Sequence, residues 1–188
     1  SLDGLSWVSQ GECRGLGSSG TSAKDACVLS VGKEKYIFFS REIPGGMAFF
    51  MGVSSDGMHW RDVRRCCGYG IDGHDLGTSP RVIAENDGEW RMFYSEWADE
   101  SFIGMRIASA RSCDRVSWRR ETDICLEPGG RYDPYGVFCP EIVECETGWR
   151  MYYGGFWERH LLELWTLYQR RDLGRRRAET EHLTETGE

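Results

Sequence analysis

The sequence predicts an all-β protein built as a β-propeller of four-stranded antiparallel blades, and three repeated features predict it. A turn motif recurs: Ser1-Leu2-Asp3-Gly4-Leu5-Ser6-Trp7 returns as Ser54-Ser55-Asp56-Gly57-Met58-His59-Trp60 and, more loosely, as Ser112-Cys113-Asp114-Arg115-Val116-Ser117-Trp118. An aromatic strand keeps step with it: Lys35-Tyr36-Ile37-Phe38-Phe39, Trp90-Arg91-Met92-Phe93-Tyr94 and Trp149-Arg150-Met151-Tyr152-Tyr153. A short apolar run precedes each aromatic strand: Ala26-Cys27-Val28-Leu29, Pro80-Arg81-Val82-Ile83 and Pro140-Glu141-Ile142-Val143. The motif tryptophans lie 53 and 58 residues apart, a period that suits one supersecondary unit rather than one strand.

Each unit reads as four strands. The apolar run is the first, and a tight polar turn (Gly32-Lys33-Glu34, Asn86-Asp87-Gly88, Glu146-Thr147-Gly148) leads into the aromatic second. The third is expected from Met47 to Val53, Gly104 to Ala110 and Glu163 to Gln169. The Asp-Gly of the motif then turns the chain into a fourth strand begun by the tryptophan, and its composition predicts a type I′ turn with φ > 0 at both central residues. The blades divide near 8–60, 61–118 and 119–169, with a polar C-terminal tail over 170–188. Residues 1–7 read as the end of a preceding blade, and Asp172 to Arg177 replaces the motif expected after the third unit. Closure takes about four blades at least, so these three equivalents read as part of a larger ring.

Composition narrows the function. The 188 residues are 28% charged and 40% hydrophobic with a net charge of -7, which excludes disorder throughout. No uninterrupted apolar run approaches the ~18 residues of a membrane-spanning helix, so no membrane association is expected. An acidic balance without a basic stripe argues against nucleic acid, whose affinity rests on Lys and Arg neutralising phosphates. The eight cysteines show no CxxC pair and no zinc-like spacing, so neither metal nor cofactor is expected. Several lie in apolar runs and read as buried reduced thiols, which leans the compartment toward a reducing, cytoplasmic one. Ser1 is not an initiating methionine, so the native N-terminus is expected to lie elsewhere.

Chemistry is expected on the face carrying the longer connections, between strands two and three and between blades. The interblade segments supply Tyr69, His74 and Asp75, then Asp133 and Tyr135. The hairpin connections supply Arg41, then Glu96 and Trp97, then Trp157 and His160. Carboxylates interleaved with aromatic rings suit a carbohydrate, whose hydroxyls want charged acceptors and whose C–H faces stack on rings.

The run Gly130-Arg131-Tyr132-Asp133-Pro134-Tyr135-Gly136-Val137-Phe138-Cys139-Pro140-Glu141-Ile142-Val143, followed by Gly148-Trp149-Arg150-Met151-Tyr152-Tyr153-Gly154-Gly155, resembles the five-bladed β-propeller glycoside hydrolases of families 43, 32 and 130. The resemblance covers residues 1 to about 169. It implies acidic side chains on the inner strands of successive blades around a central funnel, one carboxylic acid protonating the leaving oxygen and one carboxylate attacking or activating water. An Asp directly before the Pro or Ala of the first inner strand belongs to that pattern, and Asp25-Ala26-Cys27-Val28 matches it, which makes Asp25 the expected base or nucleophile. The same register gives Ser79 and Cys139 in the next two blades. The Glu-Gly-Pro that supplies the family 43 acid has no counterpart, since Thr78 and Phe138 stand there.

Asp75, Asp133 and Glu141 are the further catalytic candidates. Arg41, Tyr69, His74, Glu96, Trp97, Tyr135, Trp157 and His160 are the candidates for substrate binding. The expected partner is an oligosaccharide or glycoside, and open blade edges would permit self-association. Two other readings stand beside hydrolysis: a propeller that binds carbohydrate without turnover, and a scaffold without a competent site. Sialidase-type Asp-box propellers fit less well, because their motif separates the Asp from the Gly, whereas Asp3-Gly4 and Asp56-Gly57 are adjacent.

Overall fold

The computed structural model describes residues 1, 3–17, 22–44, 46–71, 73–85, 88–97, 104–146 and 148–158. Ten strands form there: β1 (Lys24–Val31), β2 (Glu34–Ile43), β3 (Gly46–Ser54), β4 (Arg61–Arg65), β5 (Thr78–Ala84), β6 (Trp90–Trp97), β7 (Met105–Ser112), β8 (Arg119–Arg120), β9 (Gly136–Cys145) and β10 (Gly148–Phe156). They make two four-stranded sheets, β1-β2-β3-β4 and β5-β6-β7-β8, and a hairpin β9-β10, every pair antiparallel. These are two propeller blades and the inner half of a third. The strand expected over Glu163–Gln169 and the tail over 170–188 lie outside the described residues.

The aromatic strands β2 and β6 are apolar on both faces because each is sandwiched between neighbours, whereas β10 leaves Trp149, Tyr152 and Tyr153 exposed. On β2, Tyr36 and Phe38 pack against Val82, Trp90 and Met92 of the second sheet. Ile37 and Phe39 turn the other way, onto Trp60 and Leu16. Phe93 and Ile107 of the second blade meet Val137 and Ile142 of the third. Each fully buried large side chain, such as Phe38, contributes on the order of 2–3 kcal/mol by leaving water.

Adjacent blades are also tied by a backbone device. The segment before β1 and the chain after β4 each lie parallel to the motif turn of the blade that follows. The Arg14 N–H donates to Met58 O at 2.8 Å and the Trp60 N–H to Arg14 O at 2.8 Å. One blade later the Cys67 N–H donates to Val116 O at 3.0 Å and the Trp118 N–H to Cys67 O at 2.8 Å. Gly15 and Gly68, both with positive φ, press their α-carbons against the carbonyls of Trp60 and Trp118. The sequence carries this device as Trp-x5-Cys-x-Gly, in Trp7…Cys13…Gly15 and Trp60…Cys66…Gly68.

Two local expectations are corrected. The motif turn is not type I′: its left-handed residue is Gly4, Gly57 or Arg115 alone, and Asp3, Asp56 and Asp114 are absent from the positive-φ positions. The aspartate instead folds the turn with its side chain, the Asp56 Oδ1 accepting from Met58 N and His59 N and the Asp114 Oδ1 from Val116 N and Ser117 N. The β2–β3 connection is not long either, because the ladder runs to Ile43 opposite Gly46, so Arg41 is a strand residue opposite Ala48. Of the eight cysteines, Cys27 and Cys66 are buried, whereas Cys13, Cys67, Cys113 and Cys139 are exposed.

The motif aspartates make stability depend on pH. The amides of Val116 and Ser117 hold the Asp114 carboxyl down from its ordinary 3.8 to about 2, and those of Ser6 and Leu5 do the same for Asp3. A depressed folded-state value means that stability is fully present above the ordinary value and is lost as pH falls from about 3.8 toward about 2. Asp114→Ala is therefore expected to lower Tm at pH 5 and to shrink the further fall in Tm between pH 4 and pH 2. An unchanged Tm–pH slope contradicts this assignment.

Candidate active site on the inner strands

The first strands β1, β5 and β9 lie side by side and form the inner wall. Each breaks its pairing at the same place: the register shifts between Lys24 and Cys27, between Thr78 and Arg81, and opposite Phe138 and Glu141. At each break one non-glycine residue takes a left-handed conformation: Asp25 at φ 54°, Ser79 at 56° and Cys139 at 52°. That conformation costs an L-residue about 1–2 kcal/mol. Two of these residues precede Pro80 and Pro140, and a following proline further restricts the backbone before it. Strain repeated at one register on three strands marks a place where the fold aims side chains.

The side chains at that register meet. Thr78 Oγ1 donates to Asp25 Oδ2 at 2.7 Å, linking the first two blades. Ser79 Oγ and Cys139 Sγ lie 3.2 Å apart, linking the second and third. Arg81 pairs with Glu141 across the same boundary. Partial burial pushes the Cys139 thiol above its ordinary value; the Ser79 hydrogen bond opposes this and the charge of Asp25 adds to it. The wall thus offers a carboxylate, two hydroxyls and a neutral thiol, with a guanidinium–carboxylate pair beside them.

Of the four expected catalytic carboxylates, Asp25 and Glu141 lie on this wall. Asp75 and Asp133 lie in the interblade loops as staples. Asp75 accepts from Gly68 N at 2.9 Å and Gly70 N at 2.8 Å, one oxygen each. Asp133 is 6% exposed and accepts from Gly130 N and the Tyr153 hydroxyl, both at 2.7 Å. In both, the carboxylate oxygens are engaged in holding the chain. Glu141 remains part exposed but is committed to Arg81.

The expected binding residues divide similarly. Tyr69 is fully buried, stacks on Phe49 at 4.6 Å and donates its hydroxyl to Asp75 O, so it is a core residue. Glu96 is buried at 4% exposure and is gripped by Arg106 and Arg120. Arg41 lies over the rings of Phe39 and Phe50 and donates to Leu16 O. Trp97 closes β6 opposite Met105, half-buried, and His74 holds an exposed turn through its backbone. Tyr135 and Trp157 are exposed and bracket the open end of the β9–β10 hairpin, where the Tyr135 N–H donates to Phe156 O. His160 lies outside the described residues.

Thr78, Ser79 and Cys139 are the site residues that a search for acids passes over. Their signal is positional: one polar residue before Ala26, Pro80 and Pro140 in each copy. Among the described residues, no group of three or more His, Cys, Asp or Glu is placed to hold a metal ion.

Four-stranded antiparallel blades set side by side with their first strands on a shared inner wall define a partial β-propeller. Solved structures share this fold. An N-acetylgalactosamine deacetylase from F. plautii, in complex with blood group B trisaccharide, superposes with a TM-score of 0.59 at 18% identity over 70% of this chain and 40% of its own. A family 117 glycoside hydrolase from Zobellia galactanivorans gives 0.60 at 12% identity over 76% and 52%. An α-L-arabinanase from Cellvibrio cellulosa, complexed with arabinohexaose, gives 0.54 at 20% identity over 72% and 45%. At these identities the likeness is one of fold, and the chain spans roughly half the length of each protein. No protein-family model matches the sequence, and comparison with curated proteins finds no match.

Proposed function

We propose that this chain contributes to a carbohydrate-processing site in which Asp25 is the base or nucleophile of glycosidic bond hydrolysis. The observation that carries the reading is the placement of Asp25: an exposed carboxylate on a strained bulge of the inner wall, held at one oxygen by Thr78. Of the described candidates Asp25, Asp75, Glu96, Asp133 and Glu141, it is the one engaged neither by an arginine nor by backbone amides. The remaining oxygen can accept a proton from water or approach an anomeric carbon, the task that one of two carboxylates performs in such enzymes. The exposed rings of Tyr135 and Trp157 supply flat apolar surfaces for a sugar's C–H face.

A second reading, saturable sugar binding without turnover, is favoured by a specific feature. Where Asp25 stands in the first blade, the next two carry Ser79 and Cys139, which hydrogen-bond each other rather than supply a second acid. Glu141 is also paired with Arg81 across the blade boundary rather than free to face a substrate. A panel of aryl glycosides and short oligosaccharides, read for both turnover and calorimetric binding, separates the two. Turnover that vanishes in Asp25→Asn supports hydrolysis, and binding without turnover supports the second reading. Turnover that survives in Asp25→Asn refutes the assignment of Asp25.

A further inference from the structure

Two buried serines account for how the inner wall is aimed. Ser40 on β2 and Ser95 on β6 occupy the same step of their strands, directly after the aromatic pairs Phe38-Phe39 and Phe93-Tyr94, and both are fully buried. Each hydroxyl reaches across to the next blade and accepts a backbone N–H from the left-handed residue of its first strand. The Ser79 N–H donates to Ser40 Oγ at 3.2 Å, and the Cys139 N–H donates to Ser95 Oγ at 2.9 Å. The bulge removes these two amides from the regular ladder, and a buried amide without an acceptor costs about 1–3 kcal/mol. The serine supplies that acceptor only while the bulge is in place.

We propose that Ser40 and Ser95 are positioning residues: each holds the left-handed bulge of the following blade, and so fixes Ser79 and Cys139 against one another beside Asp25. The device accounts for the same backbone conformation at Ser79 and Cys139 although their side chains differ chemically. It also separates aim from chemistry, because the latch acts on the backbone and leaves the projecting side chain free to vary. In the third repeat Gly154 stands where Ser40 and Ser95 stand, against the ring of Phe138, so the hairpin carries no hydroxyl at this step. The value of the device to a reaction rests on the reading of the inner wall as a sugar site. Its test uses no sugar and no turnover, so the two readings fail separately.

The test is the rate at which iodoacetamide alkylates Cys139 in the folded full chain, followed by peptide mapping. Exposed Cys67, on the interblade device, is the internal reference. Ser95→Ala removes the acceptor, lets the bulge relax and frees the Cys139 Sγ to swing away from Ser79, opening it further to the reagent. A rise of about fivefold or more in the Cys139 rate is expected, with the Cys67 rate unchanged. Ser112→Ala is the control: Ser112 is also buried, but its hydroxyl serves the Asp114 turn, so its loss destabilises the same blade without touching Cys139. A Cys139 rise below fivefold in Ser95→Ala, or an equal rise in Ser112→Ala, overturns the proposal. If Ser95→Ala does not fold, hydrogen exchange in the unmodified chain decides. The Ser79 and Cys139 amides are expected to be slowed about 100-fold or more relative to the free peptide, and unprotected amides refute the latch.

Discussion

Glu96→Ala is expected to destabilise the protein by about 3–5 kcal/mol, the usual cost of removing one partner from a buried ion pair. The carboxylate is 4% exposed, and three donors hold it: Arg106 Nε at 2.7 Å, Arg120 Nη1 at 2.5 Å and Arg120 Nη2 at 2.7 Å. The network continues inward. Arg120 Nη1 also donates to the Tyr94 hydroxyl at 2.7 Å, and that hydroxyl donates to Tyr69 O at 2.5 Å. Removing the carboxylate strands two guanidinium groups beside a fully buried tyrosine, and burial has already driven the Tyr94 hydroxyl well above its ordinary value. Glu96→Gln keeps one acceptor oxygen and is expected to cost less. Urea unfolding checks both, and a Glu96→Ala midpoint equal to that of the unmodified chain contradicts the account.

Gly68→Ala should be nearly as damaging, through backbone rather than charge. A β-carbon at this position would lie 2.2 Å from the Trp118 carbonyl oxygen, and φ is +83°. The oxygen cannot withdraw alone, because the Trp118 N–H and the Cys67 carbonyl form one of the bonds joining the blades. Overpacking of about 1–3 kcal/mol therefore adds to about 1–2 kcal/mol for the left-handed backbone. Gly73 isolates the second contribution, since its φ is +79° and nothing lies within 4 Å of its would-be β-carbon. Gly73→Ala is expected to lose about 1–2 kcal/mol and Gly68→Ala at least twice as much, by the same denaturant titration. Equal losses would mean that the interblade contact is not tight.

The blades were legible in the sequence because their signals are local and repeated. An apolar run, a polar turn and an aromatic strand identify a hairpin at each copy, and the turn motif locates the start of β4 and β8 within a residue. The site was less legible because residue type does not say which partner a side chain will find. Asp75 and Asp133 have the composition of catalytic acids, yet the amides of Gly68, Gly70 and Gly130 converge on them only after the loops close. Glu96 looks like an exposed loop acid until the β6–β7 ladder sets it opposite Arg106 and β8 brings Arg120 to it. Asp25 was proposed from the family resemblance, by its place directly before the first inner strand rather than by its charge, and that place falls on the strained bulge of β1. The same alignment contained Ser79 and Cys139, and a search limited to carboxylates set them aside.

The proposal that Asp25 is the working carboxylate of the inner wall is tested most directly by comparing two aspartates. The turnover of the best glycoside from the panel is measured for the unmodified chain, Asp25→Asn and Asp75→Asn, each at a temperature well below its own Tm. The account predicts a loss of about 1000-fold or more for Asp25→Asn, in the range expected when an essential acid or base is removed. It predicts turnover within about threefold of the unmodified chain for Asp75→Asn, whose cost falls on stability. Turnover retained in Asp25→Asn and lost in Asp75→Asn would contradict it, and would return the chemistry to the interblade loops.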